Sequence, residues 1–172
     1  LADPVAAVAG TEAAVAALGG VDILVNNAGI LRFAPLLEIT PEDWDLTFAI
    51  NTRAMLLTTQ VVAKAMIAAG RPGTIVNMAS MGGKTGAPNQ AHYAASKAAV
   101  ISLTRVSAME LGPHGITVNC IAPGWFHTEQ NDVMFRDEEW VETVRGRIPQ
   151  GRTGTPDDLD GERADRIVAV LG

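Results

Sequence analysis

A single cysteine occurs among the 172 residues, so the chain has no partner for an internal disulfide. Cys120 lies in an apolar run, where a small buried side chain is a better interpretation than a nucleophile. An unpaired cysteine is typical of a reducing compartment, and we therefore expect a cytoplasmic protein.

Basic clusters and long hydrophobic runs are also missing. The 13 Lys and Arg residues against 19 Asp and Glu give a net charge of −6. This balance lacks the positive surface that binds nucleic acids or anionic membranes. The longest apolar stretches fall well short of the roughly 20 residues that cross a bilayer. We expect no nucleic-acid partner, no membrane association and no secretory signal at the start of the sequence.

The sequence is rich in apolar residues, which make up 48% of it, against 19% charged residues. That balance excludes a disordered chain. Since a domain typically has roughly 150 residues, we expect residues 1–172 to form a single domain.

Three short segments rich in β-branched residues predict buried strands, and the segments between them predict helices. The predicted strands are residues 21–27, 74–80 and 117–121, and the predicted helices are residues 4–18, 41–69 and 90–111. Alternating helices and buried strands are typical of parallel sheets. The sequence therefore predicts an α/β fold with a doubly wound parallel sheet flanked by helices.

Small, polar or glycine residues follow each predicted strand. The first strand leads into Asn26-Asn27-Ala28-Gly29, the second into Ser80 and a glycine-rich stretch, and the third into Pro123-Gly124. Ligands of such sheets bind beyond the carboxyl ends of the strands. We therefore expect the functional site at this edge of the sheet.

Several common chemistries do not fit the residues near these strand ends. Met78 stands where both a phosphate-binding P-loop and a G-x-S-x-G nucleophile elbow need a glycine. The three histidines, His92, His114 and His127, are scattered, and with the lone Cys120 they have no metal-ligand spacing. We predict no metal site and do not favour a Ser-His-Asp hydrolase.

The strongest pattern is the pair Tyr93 and Lys97, in which Tyr93 is the only tyrosine of the sequence. Residues four positions apart lie on one face of a helix. An ammonium beside a phenol favours the phenolate and lowers the phenol pKa from about 10. We expect Tyr93 to act as a general acid or base.

Five elements together resemble the short-chain dehydrogenase/reductase family of classical type. They are Asn26-Asn27-Ala28-Gly29, Asn51, Ser80, the Tyr93/Lys97 pair and the run from Pro123 to Thr128. The similarity extends from about Asp22 to about Gly161. It implies a Rossmann-like fold and an NAD- or NADP-dependent enzyme of the EC 1.1.1 type that interconverts a secondary alcohol and a ketone.

The resemblance also implies a role for each matching residue. Tyr93 would be the general acid or base, Ser80 would hold the reacting oxygen, Lys97 would lower the Tyr93 pKa and bind the nicotinamide ribose, and Asn51 would bind a relay water. The implied cofactor-binding residues, besides Tyr93 and Lys97, are Asn26, Ala28, Gly29, Pro123, Gly124, Phe126 and Thr128. The helices over residues 41–69 and 90–111 would pair across a two-fold axis in a homodimer or homotetramer.

The sequence departs from the family pattern at both ends. No glycine-rich turn, which would present helix N–H groups to the cofactor pyrophosphate, precedes Asp22. After Gly161 the expected apolar helix and final strand are replaced by residues 162–172. We therefore expect the sheet to be incomplete at both ends, with the residue that distinguishes NAD from NADP missing.

The run PGWFHTEQN, then Trp140 and residues 147–154, resembles gluconate 5-dehydrogenases and related sugar or polyol dehydrogenases of the family. In this interpretation His127, Glu129 and Asn131 belong to a lid that could bind a polyol, although an amphipathic surface helix explains them equally well. Two alternatives stay open: a 3-oxoacyl-carrier-protein reductase, and a non-catalytic fragment without the nucleotide-binding half.

Overall fold

Three parallel strands form the sheet of the protein, whose computed structural model describes residues 1–159 except the side chain of Gln130. The strands are β1, Ile23–Asn26; β2, Gly73–Met78; and β3, Ile116–Ile121. β2 is central, pairing Ile23 with Thr74 on one side and Gly73 with Ile116 on the other. The three predicted strands are confirmed within two residues at each end, whereas the departure expected over residues 162–172 lies outside the described residues.

The helices begin and end where the local signals predict. Helix α1, Pro4–Leu18, has the predicted bounds, because Asp3 caps its first turn and accepts a hydrogen bond from Ala6 N at 2.7 Å. Helix α2, Pro41–Phe48, starts after Thr40, which accepts from Asp43 N at 3.1 Å. A proline at the first helical position suits both helices.

The predicted helix over residues 41–69 contains a feature that its sequence did not indicate. A π-helical turn, Ala49–Arg53, separates α2 from helix α3, Ala54–Ala68. The short helix α4, Gly82–Thr85, and the long helix α5, Ala91–Leu111, then connect β2 to β3. A 3₁₀ turn, Gly112–His114, ends α5, so the predicted helix over residues 90–111 is confirmed.

Two apolar clusters hold the helices against the sheet. In the first, Val62, Ala63 and Met66 of α3 pack with Ile75, Ile116 and Val118 of the strands. In the second, Val100 and Ile101 of α5 pack with Met55, Ala79 and Cys120. Cys120 is 3% exposed, which confirms the prediction that its thiol is buried. Burial also raises the pKa of this thiol, as expected of an inert cysteine.

The chain divides into two compact units, of which the first contains the sheet and residues 1–122. The second, from residue 123, contains helices α6, Asp132–Phe135, and α7, Glu138–Gly146. It also has two 3₁₀ turns, Glu129–Asn131 and Pro156–Leu159. The single domain expected over residues 1–172 stays a prediction. Among the described residues, no helix combines the length and apolarity needed to cross a membrane.

Candidate active site

Ser80 and Tyr93 meet at the carboxyl end of β2. The strand ladder continues one residue past β2, since Ala79 N donates to Ile121 O at 2.8 Å. Ser80 follows, and its Oγ accepts a hydrogen bond from Gly82 N at 3.0 Å. The Ser80 side chain lies beside Tyr93, near the start of α5: Ser80 Oγ and Tyr93 Cε1 are 3.4 and 3.6 Å from the point that a β-carbon on Gly82 would occupy. The structure thus brings together two residues that the sequence separates by a turn and a short helix.

Lys97 lies one helical turn after Tyr93, as the spacing predicted. Its Nζ is 5.9 Å from the centre of the Tyr93 ring and donates a hydrogen bond to Met78 O at 2.7 Å. The Lys97 side chain is buried, with 5% of the residue exposed. The carbonyl at the end of β2 therefore holds the ammonium beside the phenol.

The net pKa shift of Tyr93 is upward, whereas the sequence predicts a lowered pKa. Burial raises the pKa of the Tyr93 phenol, and the neighbouring Ser80 hydroxyl acts in the opposite direction without reversing the shift. Burial also lowers the pKa of Lys97 to about 8. Desolvation disfavours both charged forms and decides the net direction of each shift. That Lys97 lowers the Tyr93 pKa stays a prediction.

Asn51 lies in the π-helical turn and is 2% exposed. Its Oδ1 accepts from Ile30 N at 2.8 Å, and its Nδ2 donates to Ile30 O at 3.0 Å. Nδ2 also donates to Ser96 Oγ at 3.0 Å. Both amide hydrogens are therefore used by protein acceptors, so they are not available to the relay water that the family resemblance implied. Single π turns are frequent at functional sites, where they redirect a side chain.

Ser96 has no assigned role in the sequence pattern, yet it connects this site. Its Oγ donates to Tyr93 O at 2.7 Å while it accepts from Asn51, and Thr52 Oγ1 donates to Ser96 O at 3.2 Å. The residue is completely buried. Its place inside the Tyr93–Lys97 turn was visible in the sequence, but its partner on another helix was not.

Gly29 brings the loop after β1 close to Lys97 and Asn51. A β-carbon at Gly29 would lie 3.3 Å from both Lys97 Nζ and Asn51 Oδ1. The preceding Ala28 is exposed. The predicted glycine motif therefore borders the buried ammonium, as expected for a loop at the carboxyl end of a strand.

Asn26, the first residue of this motif with a predicted cofactor role, has its side chain in a network inside the first unit. Its Nδ2 donates to Thr59 Oγ1 at 3.1 Å and to Asn77 Oδ1 at 2.8 Å, and its Oδ1 accepts from Thr58 Oγ1 at 2.6 Å. The amide thus ties β1 to α3 and β2. Its contribution to cofactor binding stays a prediction.

The remaining predicted cofactor residues belong to the second unit, which starts directly after β3. Phe126 pairs with Gly154 in an isolated parallel bridge, and its ring lies against that glycine. Thr128 caps a 3₁₀ turn through Asn131, whose Oδ1 accepts from Thr128 N at 2.8 Å. Asn131 Nδ2 also donates to Phe126 O at 2.7 Å. Pro123 and Gly124 precede this loop, and neither is fully buried.

The lid residues of the second unit have different surroundings from one another. Asn131 is buried and its amide holds the loop through Thr128 N and Phe126 O. His127 Nε2 lies 2.8 Å from Asp132 Oδ1, and its ring stacks on Phe135 with centres 4.5 Å apart. Glu129 is exposed. Trp140 contacts the rings of Trp125 and Phe135 edge-on, so an aromatic cluster supports this segment.

The chemistries rejected from the sequence gain no support from the described residues. No group of three His, Cys, Asp or Glu side chains in this part of the chain could hold a metal ion. Ser80 Oγ accepts a hydrogen bond from Gly82 N, and no described histidine forms a hydrogen bond with it. His92 is completely buried, whereas His114 is exposed in the turn that ends α5.

The described part of the chain has a Rossmann-like fold, in which helices flank a parallel sheet. Ser, Tyr, Lys and Asn side chains lie together at the carboxyl edge of this sheet. A family model described as enoyl-(acyl carrier protein) reductase matches residues 2–162. The chain belongs to the short-chain dehydrogenase/reductase family, as the sequence motifs indicated.

Several similar proteins of the family have names that refer to sugars or polyols. The chain is 45% identical over 167 residues to a sorbitol dehydrogenase of Cereibacter sphaeroides, covering 88% of this chain and 65% of the relative. It is 41% identical over 142 residues to an L-xylulose reductase of Bos taurus, covering 83% and 58%. The chain thus spans about three fifths of the length of these curated relatives.

The fold is similar to that of solved dehydrogenases. The crystal structure of a gluconate 5-dehydrogenase from Burkholderia cenocepacia J2315, in complex with NADP and tartrate, matches with a TM-score of 0.89 and 38% identity. The match covers 94% of this chain and 63% of that one. The prediction of a Rossmann-like parallel sheet flanked by helices is therefore confirmed.

Proposed function

We propose that the protein is an NAD(P)-dependent oxidoreductase that interconverts a secondary alcohol and a ketone on a sugar acid or polyol. The observation that carries this proposal is the juxtaposition of Ser80 and Tyr93 beside Gly82, with the buried Lys97 Nζ 5.9 Å from the centre of the Tyr93 ring. This arrangement provides one phenolic proton, one hydroxyl to orient an oxygen, and one ammonium at the same strand end. Such a set suits proton transfer to or from a carbonyl or hydroxyl oxygen.

The residues beside Lys97 fit a nicotinamide ribose. Lys97 Nζ has three donors, of which one binds Met78 O, and we assign a further one to the ribose hydroxyls. Because Gly29 has no side chain, the loop after β1 lies close to that nitrogen, and a β-carbon there would be 3.3 Å from it. When bound, a nicotinamide supplies the hydride acceptor or donor of the reaction. NAD and NADP are both compatible with this proposal.

The chain's own residues handle the proton and the orientation of the substrate. Tyr93 gives its phenolic proton to the ketone oxygen during reduction and takes it back during alcohol oxidation. Ser80 donates a hydrogen bond to the same oxygen and holds it beside the phenol. Lys97 stabilises the phenolate that forms after proton transfer. Asn51 keeps the loop after β1 fixed against α5, through Ile30 and Ser96.

The other cofactor contacts that we propose follow the family pattern. Asn26, Ala28 and Gly29 would line the cofactor ribose, with Asn26 acting through the loop that its side chain anchors. Phe126 and Thr128 would contact the carboxamide, with Pro123 and Gly124 shaping the turn. In support, the backbone of this segment is held by the Asn131 amide and the Phe126–Gly154 bridge.

The substrate class rests on the names of the relatives. A sorbitol dehydrogenase and an L-xylulose reductase each share more than two fifths of the aligned residues with this chain. A gluconate 5-dehydrogenase shares its fold. None of these relatives is named as a 3-oxoacyl-carrier-protein reductase, so we propose a sugar acid or polyol as the substrate.

The test compares the unmodified chain with Tyr93→Phe. Fluorescence titration with NADH and NADPH measures cofactor binding, and NAD(P)H absorbance measures turnover of D-sorbitol, xylitol and D-gluconate. We expect Tyr93→Phe to leave cofactor binding largely intact and to lose about 10²–10⁴-fold in kcat, the usual contribution of a general acid or base. Undiminished turnover in Tyr93→Phe, or no cofactor binding by the folded unmodified chain, contradicts the proposal.

We also propose a cytoplasmic homodimer or homotetramer that associates through α5 and the helical run from Pro41 to Ala68. One stripe of α5 supports this: Ala98, Val106 and Met109 are exposed along one helix face, and Met109 is 71% exposed. Apolar residues on an exposed helix face favour association. Sedimentation velocity tests the assembly, and a sharply monomeric species contradicts it.

A further inference from the structure

Gln90 precedes α5 directly, and its side chain lies beside Ser80 and Tyr93. It is 4% exposed. Its Oε1 lies 3.9 Å from the point that a β-carbon on Gly82 would occupy. Ser80 Oγ and Tyr93 Cε1 lie 3.4 and 3.6 Å from the same point. Three side chains therefore border one small space, and two of them belong to the proposed catalytic set.

The amide of Gln90 has no hydrogen-bond partner within residues 1–159. It does not cap the helix, since no side-chain hydrogen bond is formed at the α5 N-terminus. Among the described residues, only the two ring nitrogens of His92 are both sealed from solvent and unpaired. The polar end of Gln90 therefore keeps access to solvent although the residue is almost fully buried. Since buried amides are normally paired, this group is suited to bind a ligand.

The backbone on both sides of this amide is fixed. Asn89 has a left-handed conformation with φ of 61°, and its carbonyl accepts a hydrogen bond from Ala34 N at 3.0 Å. Gln90 O accepts from Ala94 N at 2.7 Å in the first turn of α5. A group held in this way loses little conformational entropy on binding, which favours a recognition role.

We propose that Gln90 is a specificity-determining residue that hydrogen-bonds a hydroxyl group on the carbon next to the reacting carbon. This inference rests on the proposed function, and it names the part of the substrate that the site recognises. A primary amide has two donors and one acceptor, so it pairs with a hydroxyl in either direction. A substrate without that hydroxyl would leave the amide buried and unpaired, which disfavours simple alkyl ketones.

The experiment compares ketones that differ by one hydroxyl group: 2-butanone, 1-hydroxy-2-butanone and 3-hydroxy-2-butanone. The unmodified chain and Gln90→Leu are assayed for reduction of each ketone with NADPH and NADH. We expect Gln90→Leu to lose about tenfold in kcat/KM for at least one hydroxyketone, as for the loss of one hydrogen bond. The value for 2-butanone should change by less than about twofold. Gln60→Leu makes the same change at an exposed position of α3 and should leave every substrate unaffected.

The two proposals fail in different ways. An equal loss on all three ketones overturns the recognition role of Gln90, because a structural role affects every substrate alike. Inactivity of the unmodified chain towards all three ketones, and towards the polyols above, overturns the proposed function and this inference with it. If Gln90→Leu does not fold, Gln90→Met keeps the length of the side chain without the amide, and it should still lower kcat/KM for the hydroxyketone selectively.

Discussion

Asn51 Nδ2 donates a hydrogen bond to Ser96 Oγ at 3.0 Å, across 45 positions of the sequence. Ser96 Oγ in turn donates to Tyr93 O at 2.7 Å, and Asn51 binds both the N–H and the C=O of Ile30. One chain of hydrogen bonds therefore joins the loop after β1, the π turn and the first turns of α5. Three parts of the proposed site are held in register by two buried side chains.

Ser96→Ala should weaken this connection. The substitution removes the acceptor of Asn51 Nδ2 and leaves that buried donor unpaired, so the free energy of unfolding should fall by about 1–3 kcal/mol. The kcat should also fall, because Asn51 no longer fixes the loop against α5. Urea denaturation and steady-state kinetics measure the two effects. Ser102→Ala, at an exposed position of the same helix, is the matched control, and equal stability of the two variants would contradict the prediction.

Gly83→Ala should separate α4 from α5. A β-carbon on Gly83 would lie 2.7 Å from both Ala98 N and the Lys97 carbonyl carbon, which are backbone atoms that cannot rotate away. We expect a loss of about 1–3 kcal/mol in the free energy of unfolding, as in other overpacked sites.

The control for Gly83→Ala is Gly10→Ala in the middle of α1. A β-carbon there meets no atom within 4 Å, so this variant should gain up to about 1 kcal/mol from the lower chain entropy of alanine. Thermal denaturation ranks the two variants and the unmodified chain by their stability. A Gly83→Ala chain as stable as the unmodified one would show that the two helices separate without cost.

Asn77→Ala should destabilise the first unit from inside the sheet. Asn77 is 1% exposed, accepts from Asn26 Nδ2 at 2.8 Å and donates to Thr104 Oγ1 at 3.0 Å. Its removal costs two buried hydrogen bonds, and we expect a fall of about 1–3 kcal/mol in the free energy of unfolding. Asn119→Ala changes an exposed asparagine on β3 and should have a small effect. Similar urea midpoints for the two variants would contradict a structural role for this network.

Stability should rise with pH above about 8 because of Lys97. Burial lowers its folded-state pKa to about 8 from 10.5, so between these values the unfolded chain binds more protons than the folded chain. The free energy of unfolding then increases with pH in this window. Tyr93 acts in the opposite direction only above about pH 10, where the unfolded chain loses its phenolic proton first.

Lys97→Met isolates this contribution, since it keeps a long apolar side chain without the ammonium. Urea denaturation of both chains from pH 7.5 to 10 should give a smaller increase in stability for Lys97→Met than for the unmodified chain. Parallel pH curves for the two chains would mean that Lys97 keeps its ordinary pKa in the folded protein.

The local parts of the fold could be predicted because their signals lie within a few residues. Asp3 and Thr40, each followed by proline, mark the starts of α1 and α2, and both cap as expected. β-Branched runs mark the three strands. The π turn was missed because Ala49–Arg53 continues an ordinary helical pattern. Its extra residue per turn coincides with the contacts of Asn51 to Ile30 and Ser96, which belong to distant segments.

The candidate site was only partly predictable. Ser80, Tyr93 and Lys97 could be found from spacing and from their order after a strand. Ser96 and Gln90 could not be found in this way. The importance of Ser96 depends on a partner from another part of the chain, and that of Gln90 on an amide without a partner among the described residues. Asn131 was one possible polyol-binding residue of a lid, and the structure adds that its amide holds the loop of the second unit.

The sequence by itself determined the order of strands and helices, the family, and the residue types at the carboxyl edge of the sheet. These follow from short-range backbone preferences and from motifs that survive as residue identities. Only the tertiary structure decided which way the pKa values of Tyr93 and Lys97 shift and how Asn51 is used. The physical reason is that desolvation and buried hydrogen bonds depend on every segment packed around a group, and those segments are far apart in the sequence.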